Sequence, residues 1–437
     1  MKKEKLEEQM IIEGVEPSSF SCDKKSEKTE NIVEFETETG EQLSFDAEPA
    51  DLEIPKEVVD EKLKHIFESQ TPKKKKRNTI VNLILLLVNI VFMVFIVKSL
   101  IANVGESDFS EIAEKQGSKL WWLVGGVGVY VIYMIVQFLM YHVLIKDLTK
   151  KSRPKLAYDV AVVGKYYDNV TPFAIGGQPM QIITLAKNGV AGGISTSIPI
   201  MKLMINSIVN MVLIVIFFVF GLPRIPQTNE FFTLLLTILE VLGVVGLIIT
   251  VCVTMFMVLI SSGNLVTRSL ISKVIRIGYK LKIVKNYRVS LKKAINYVAE
   301  YRSSMKYLWK RKWLLTKMIL LATVECLSYA IMPYFVVMAF CTTIDLNAFM
   351  LIFICIVQYY ICAMASSFFP LPGGTGLMEI SFILLFGAGV INLGDSIVWA
   401  LLAWRFLSYY LILVHGFINE LYKIIKSMIK NKTKREV

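Results

Sequence analysis

From residue 79 to residue 418 the chain alternates long apolar runs with short polar ones, and the runs have the length of membrane-spanning helices. A hydrocarbon core about 30 Å thick takes about 20 helical residues. Six stretches meet that length: 79–102, 120–145, 201–222, 231–260, 313–340 and 396–418. Two further apolar segments, 156–187 and 346–391, are broken in the middle by proline and glycine. Broken backbone at membrane depth is tolerated only inside protein or beside water. The pattern therefore predicts an all-α polytopic membrane protein with about six full spans and two Gly/Pro-broken re-entrant hairpins. The second broken segment has an alternative reading, in which 346–369 crosses alone and 378–391 is a short return span, giving eight spans.

Charge orients these elements. Residues 146–155 carry five basic side chains and one acid, 263–312 carry fourteen and one, and 423–435 carry six basic ones. Such runs mark the cytosolic side. Residues 103–119, with four acids and two lysines, and the short 223–230 loop then face out. Parity makes 156–187 enter and return from the cytosol and 346–391 do so from outside. Halves 79–222 and 231–420 thus form an inverted repeat with paired breaks, a device that secondary transporters use to build a site near the midplane.

Composition adds a tail and removes alternatives. The 437 residues are 54% hydrophobic and 19% charged, with a mean hydropathy of +0.54. The net +12 is the sum of two unlike parts. Residues 1–71 hold 9 lysines against 20 carboxylates, a net −11, and the remainder is +23. Residues 1–78 read as an acidic, largely disordered cytosolic tail closing on the basic cluster KKKKR at 73–77, and 423–437 as a basic cytosolic tail. The cluster at 73–77 and the 263–312 loop, whose apolar residues recur at helical spacing, are expected to rest on anionic inner-leaflet lipid. Basic residues lie beside apolar spans, which argues against nucleic acid as a partner. Six cysteines without a CxxC pair and three scattered histidines offer no metal motif, and no metal or cofactor is expected.

The breaks carry the candidate chemistry. Proline removes an amide donor and glycine opens backbone conformations closed to other residues, so half-helix ends become exposed to ligands. Around the first break stand Asp168, Asn169, Pro172, Gly176, Gly177, Gln178 and Gln181, followed by Lys202. The second brings Pro372, Gly373, Gly374, Gly376 and Glu379, and the last span brings Arg405 and Tyr409. Charges inside a membrane are functional candidates by default. Arg405, nine residues into its span, needs an anionic partner, either Glu379 or a lipid phosphate. Glu325 is a buried acid without a motif, and Lys187 and Lys202 fall where plain positive-inside residues also occur.

The run NVTPFAIGGQPMQ with LAKNGV and Lys202, the run PLPGGTGLMEISF, and the closing WRFLSYY together resemble the flippase-like family. This is the transmembrane region of lysylphosphatidylglycerol synthases and their stand-alone relatives, and the resemblance spans about residues 78–422. It implies translocation of an anionic or aminoacylated phospholipid, or a related lipid-linked substrate, in a bacterial cell membrane with both termini cytosolic. Surface charge and resistance to cationic peptides would follow from it. Full-length synthases also carry a soluble domain that moves lysine from tRNA to the lipid. This chain ends 17 residues after Glu420, so the expectation is a protein without that activity. A phosphatidylglycerol lysyltransferase, or a regulatory partner of a separate synthase, is the competing reading, and self-association is a further expectation.

Overall fold

The computed structural model describes residue 98 and residues 109–190, 192–221, 230–262, 265–280, 287–341, 346–366, 371–387, 391 and 393–433. The 79–102 span, apart from residue 98, the acidic tail and the 73–77 cluster lie outside the described residues. No strand occurs among those described.

Helix α1 (Phe109–Gln116) and a 3-10 turn (Gly117–Trp121) lead into α2 (Trp122–Thr149). The first broken segment is α3 (Pro154–Val170), a tip at Pro172–Ala174, and α4 (Gly177–Lys187). Next come α5 (Gly192–Gly221), α6 (Glu230–Ser262), α7 (Leu265–Lys280), α8 (Tyr287–Lys310), α9 (Lys312–Ala330) and α10 (Met332–Phe340). The second broken segment is α11 (Ala348–Ser366), a tip at Pro372–Gly374, and α12 (Leu377–Gly387). A 3-10 turn (Gly394–Ser396), α13 (Ile397–Arg405), a π turn (Phe406–Tyr410) and α14 (Leu411–Thr433) close the described chain.

Six stretches among the described residues are long and apolar enough to cross a membrane: Glu114–Thr149, Gly193–Phe218, Thr237–Phe256, Lys312–Phe340, Ala348–Ser366 and Gly394–Lys423. This is a multi-pass α-helical membrane protein. Five of them are the expected spans, and Ala348–Ser366 is the arm that the sequence read as part of a hairpin. Several bounds differ from expectation. α5 starts nine residues before 201, with Pro199 inside it. The 313–340 span is two helices, because Pro333 at the start of α10 breaks it at Ile331. The last helix continues to Thr433, through the region read as a tail. Residues 263–312 form two helices, and the end of α8 is buried, with Ser304, Met305 and Leu308 at 0–1% exposure.

Both broken segments fold back antiparallel. In the first, the Asp168 carboxylate meets the Gly177 N–H, and a Cβ on Gly164 would strike Gln181. In the second, Ser366 bonds the Met378 sulfur and the Gln358 amide donates to the Leu385 carbonyl. α4 and α12 have 11 residues each, about 16 Å, roughly half the hydrocarbon thickness. The return arms are thus half-length, while α11, at 19 residues, is long and apolar enough to cross by itself, so the second segment is a hairpin of unequal arms.

The hairpins start from opposite ends. α3 begins in an apolar cluster with Ile198, Met201, Leu314 and Met318. α11 begins in another, with Phe340, Cys341 and Phe386. α9 and α10 run from the first cluster to the second, and polar groups gather between them.

Candidate functional site

The two tips have one backbone design. Each is a proline followed by two residues with positive φ: Phe173 (55°) and Ala174 (52°), then Gly373 (65°) and Gly374 (63°). The offset between them is 200 residues, and it also relates α4 to α12. The second tip meets the conformation with glycines. The first holds it with L-residues, at a strain of about 1–2 kcal/mol each, while Phe173 and Ile175 stay 59% and 65% exposed. The first tip's own glycines serve a different purpose. Gly176 has an ordinary helical φ of −81°. A Cβ on Gly177 would lie 2.2 Å from Asp168 Oδ1 and 2.6 Å from the Gly164 carbonyl. Close approach of the two arms, not turn geometry, demands these two glycines.

Each short helix receives a carboxylate at its N-terminus, where free N–H groups collect positive potential. Asp168 Oδ1 accepts the Gly177 N–H at 3.0 Å, and Thr171 Oγ1 accepts that of Gly176 at 2.9 Å. Glu379 Oε2 accepts the Gly376 N–H at 2.6 Å. Its other oxygen takes Arg405 Nε at 2.6 Å and Nη2 at 2.5 Å. Both Arg405 Nη atoms also donate to the Gly373 carbonyl at 3.2 Å. Arg405 is 4% exposed and Glu379 1%. Of the two partners open to Arg405 from sequence, the structure supplies the carboxylate, and the guanidinium fork fastens the second tip to the last membrane helix. Tyr409, in the π turn, spans to the other hairpin by donating to the Asn169 carbonyl at 3.1 Å. The Asn169 amide returns to the Lys165 carbonyl.

Between the tips lies a cavity of about 480 Å³. Lys165, Asp168, Asn169, Asn210, Glu325 and Tyr329 give it a polar lining, and Phe173, Ala174, Gly373 and Gly374 bring both tips to its wall. Three helices converge behind it on Glu325 of α9. Lys202 of α5 reaches its oxygens at 3.1 and 3.2 Å, Lys165 of α3 lies 3.7 Å away, and the Gln137 amide of α2 donates to Oε1. Lys165 stands over the Tyr133 ring and Lys202 over that of Tyr141, each at 5.6 Å. A buried carboxylate is tolerable when paired and hydrogen-bonded in this way.

The residues singled out from sequence thus separate. Asp168, Asn169, Gly373 and Gly374 line the cavity. Gly176, Gly177, Pro172, Pro372, Gly376, Glu379, Arg405 and Tyr409 build or fasten the tips. Gln181 is buried against Gly164, and Gln178, half-buried in the first turn of α4, is not among the lining residues. Lys202 stands behind the cavity, 5% exposed within α5 and ion-paired to Glu325, which sets aside the plain positive-inside alternative for it. Lys165, Gln137 and Asn210 were missed. The one signal for Lys165 was its spacing, since it precedes Asp168 by three residues and so shares a helix face with it.

Residues 81–416 match the family described as the lysylphosphatidylglycerol synthase TM region. No curated protein matches the chain.

Proposed function

Since the chain belongs to the lysylphosphatidylglycerol synthase transmembrane-region family, we propose that it is a lipid translocator. The headgroup of an anionic or aminoacylated phospholipid, or of a related lipid-linked substrate, occupies the cavity between the tips while the acyl chains stay in the bilayer. One observation carries the reading: two broken hairpins, each with a half-length return arm, start from opposite ends and meet around a charged cavity, inside a body whose outer face is apolar. Lys165 is the group for a phosphodiester, and Asp168 the group for a cationic headgroup. Movement of the two halves about the tips opens the cavity to one leaflet and then the other.

In this proposal the protein works in a bacterial cell membrane with both termini cytosolic, and it alters surface charge and susceptibility to cationic peptides. The clusters at 73–77 and in the 263–312 region rest on anionic lipid. Self-association, or a separate lipid synthase as partner, belongs to the same proposal. The test is purified protein in liposomes with a fluorescent phosphatidylglycerol, followed by analysis of the lipids. Transbilayer movement without change in lipid chemistry supports the translocator. Lysyl-phosphatidylglycerol formed from charged tRNA would establish the transferase instead.

A further inference from the structure

The charges in and behind the cavity cancel. Its lining carries Lys165, Asp168 and Glu325, and Lys202 stands behind on both Glu325 oxygens. Two ammonium groups face two carboxylates, and the Arg405–Glu379 pair is neutral by itself. A phosphodiester entering this cavity brings one negative charge, and among the described residues that line or back it no cation is left over. An uncompensated charge in a low-dielectric interior is strongly disfavoured. Proton uptake by a carboxylate restores neutrality.

Resting on the lipid reading above, we infer that the protein carries one proton with each anionic headgroup, and that Asp168 holds it. Glu325 is the poorer acceptor, because a proton there breaks its contacts with Lys202 and Lys165. Asp168 has one backbone donor, the Gly177 N–H, on Oδ1. A proton on Oδ2 leaves that bond intact and turns the acid into a donor toward a phosphate oxygen, beside Lys165. The groups facing Asp168 are Lys165 on its own helix, Tyr141 from α2, Lys202 from α5 and Glu325 from α9. α4 presents the Gly177 N–H, and the second tip presents glycine backbone. Glu420 of α14 faces Tyr166 and Tyr167 on the same helix. The proton comes from water on the loading side, forms an O–H bond at Asp168, and leaves to water when the headgroup is released. A zwitterionic headgroup brings its own cation and needs no proton.

The experiment uses the full chain in phosphatidylcholine liposomes, with acyl-labelled phosphatidylglycerol or acyl-labelled phosphatidylcholine as probe, at acidic and alkaline pH. Proton uptake requires that phosphatidylglycerol movement slow as pH rises, by up to about tenfold per pH unit, while phosphatidylcholine movement stays flat. Asp168→Asn keeps an oxygen for the Gly177 N–H and is neutral at every pH, so its phosphatidylglycerol profile is flat. A second measurement uses wild-type protein alone: short-chain phosphatidylglycerol added in weakly buffered detergent draws one proton per protein, and short-chain phosphatidylcholine draws none. A flat wild-type profile, a pH dependence that survives Asp168→Asn, or binding without proton uptake overturns the inference and leaves the translocator standing. A wild-type protein that moves neither probe overturns the translocator reading and the coupling with it.

Discussion

The Arg405–Glu379 fork gives the sharpest energetic prediction. Both groups are buried, the carboxylate also caps α12 through Gly376, and the guanidinium also holds the Gly373 carbonyl. Arg405→Met leaves a buried carboxylate without its cation, and Glu379→Gln leaves a buried guanidinium without its anion. Removing one partner of a buried pair costs about 3–5 kcal/mol, a large part of a typical total stability of about 5–15 kcal/mol. The double variant Arg405→Met with Glu379→Gln carries no stranded charge. Its remaining penalty is the Gly373 carbonyl left without a donor, about 1–3 kcal/mol. The double should therefore be more stable than the sum of the singles predicts by more than about 2 kcal/mol. Denaturant unfolding in mixed micelles, with membrane insertion checked for each variant, reads the cycle. Singles costing less than about 1 kcal/mol, or a double as costly as their sum, would refute the fork as the fastener of the second tip. Lipid movement gives a parallel readout, lost in each single and regained in the double.

Gly177→Ala should prevent the first hairpin from closing, because its Cβ meets a carboxylate and backbone at 2.2–2.6 Å, whereas Gly128→Ala, with nothing within 4 Å, should be neutral or stabilising. Thermal unfolding of the two side by side checks this, and equal effects would count against the close-approach argument. Lys202→Met should destabilise by several times the effect of Lys146→Met, an exposed site where about 0.5 kcal/mol or less is expected; similar losses would return Lys202 to a surface role. Single-cysteine probes at Lys150 and Lys280 should label from the cytosolic side and one at Glu114 from outside, and labelling of the Lys150 probe from outside would contradict the orientation.

Five of the six expected spans and both breaks were legible because length, apolarity and a Gly/Pro interruption are local signals. The register of the breaks was less legible. Counting from the glycine pairs aligns Gly176–Gly177 with Gly373–Gly374, yet the positive-φ pair of the first tip is Phe173–Ala174. Counting from Pro172 and Pro372 gives the correct register, since proline fixes where each tip begins. That Arg405 needs an anion was legible, because a mid-membrane guanidinium keeps its charge, but sequence left Glu379 and a lipid phosphate equally open as the partner. The Glu325 cluster was not legible, because Gln137, Lys165, Lys202 and Glu325 come from four helices and no spacing in sequence joins them. Pro333 likewise splits a span whose hydropathy reads as continuous.

The central claim, that a headgroup passes through the cavity between the tips, is tested most directly by Lys165→Gln in proteoliposomes carrying fluorescent phosphatidylglycerol. Lys165 lines the cavity, while Lys202 keeps Glu325 paired without it. At equal insertion and unchanged unfolding midpoint, the account predicts that the variant falls to the protein-free rate while the wild-type protein moves the lipid. Wild-type rates in the Lys165→Gln protein would contradict it.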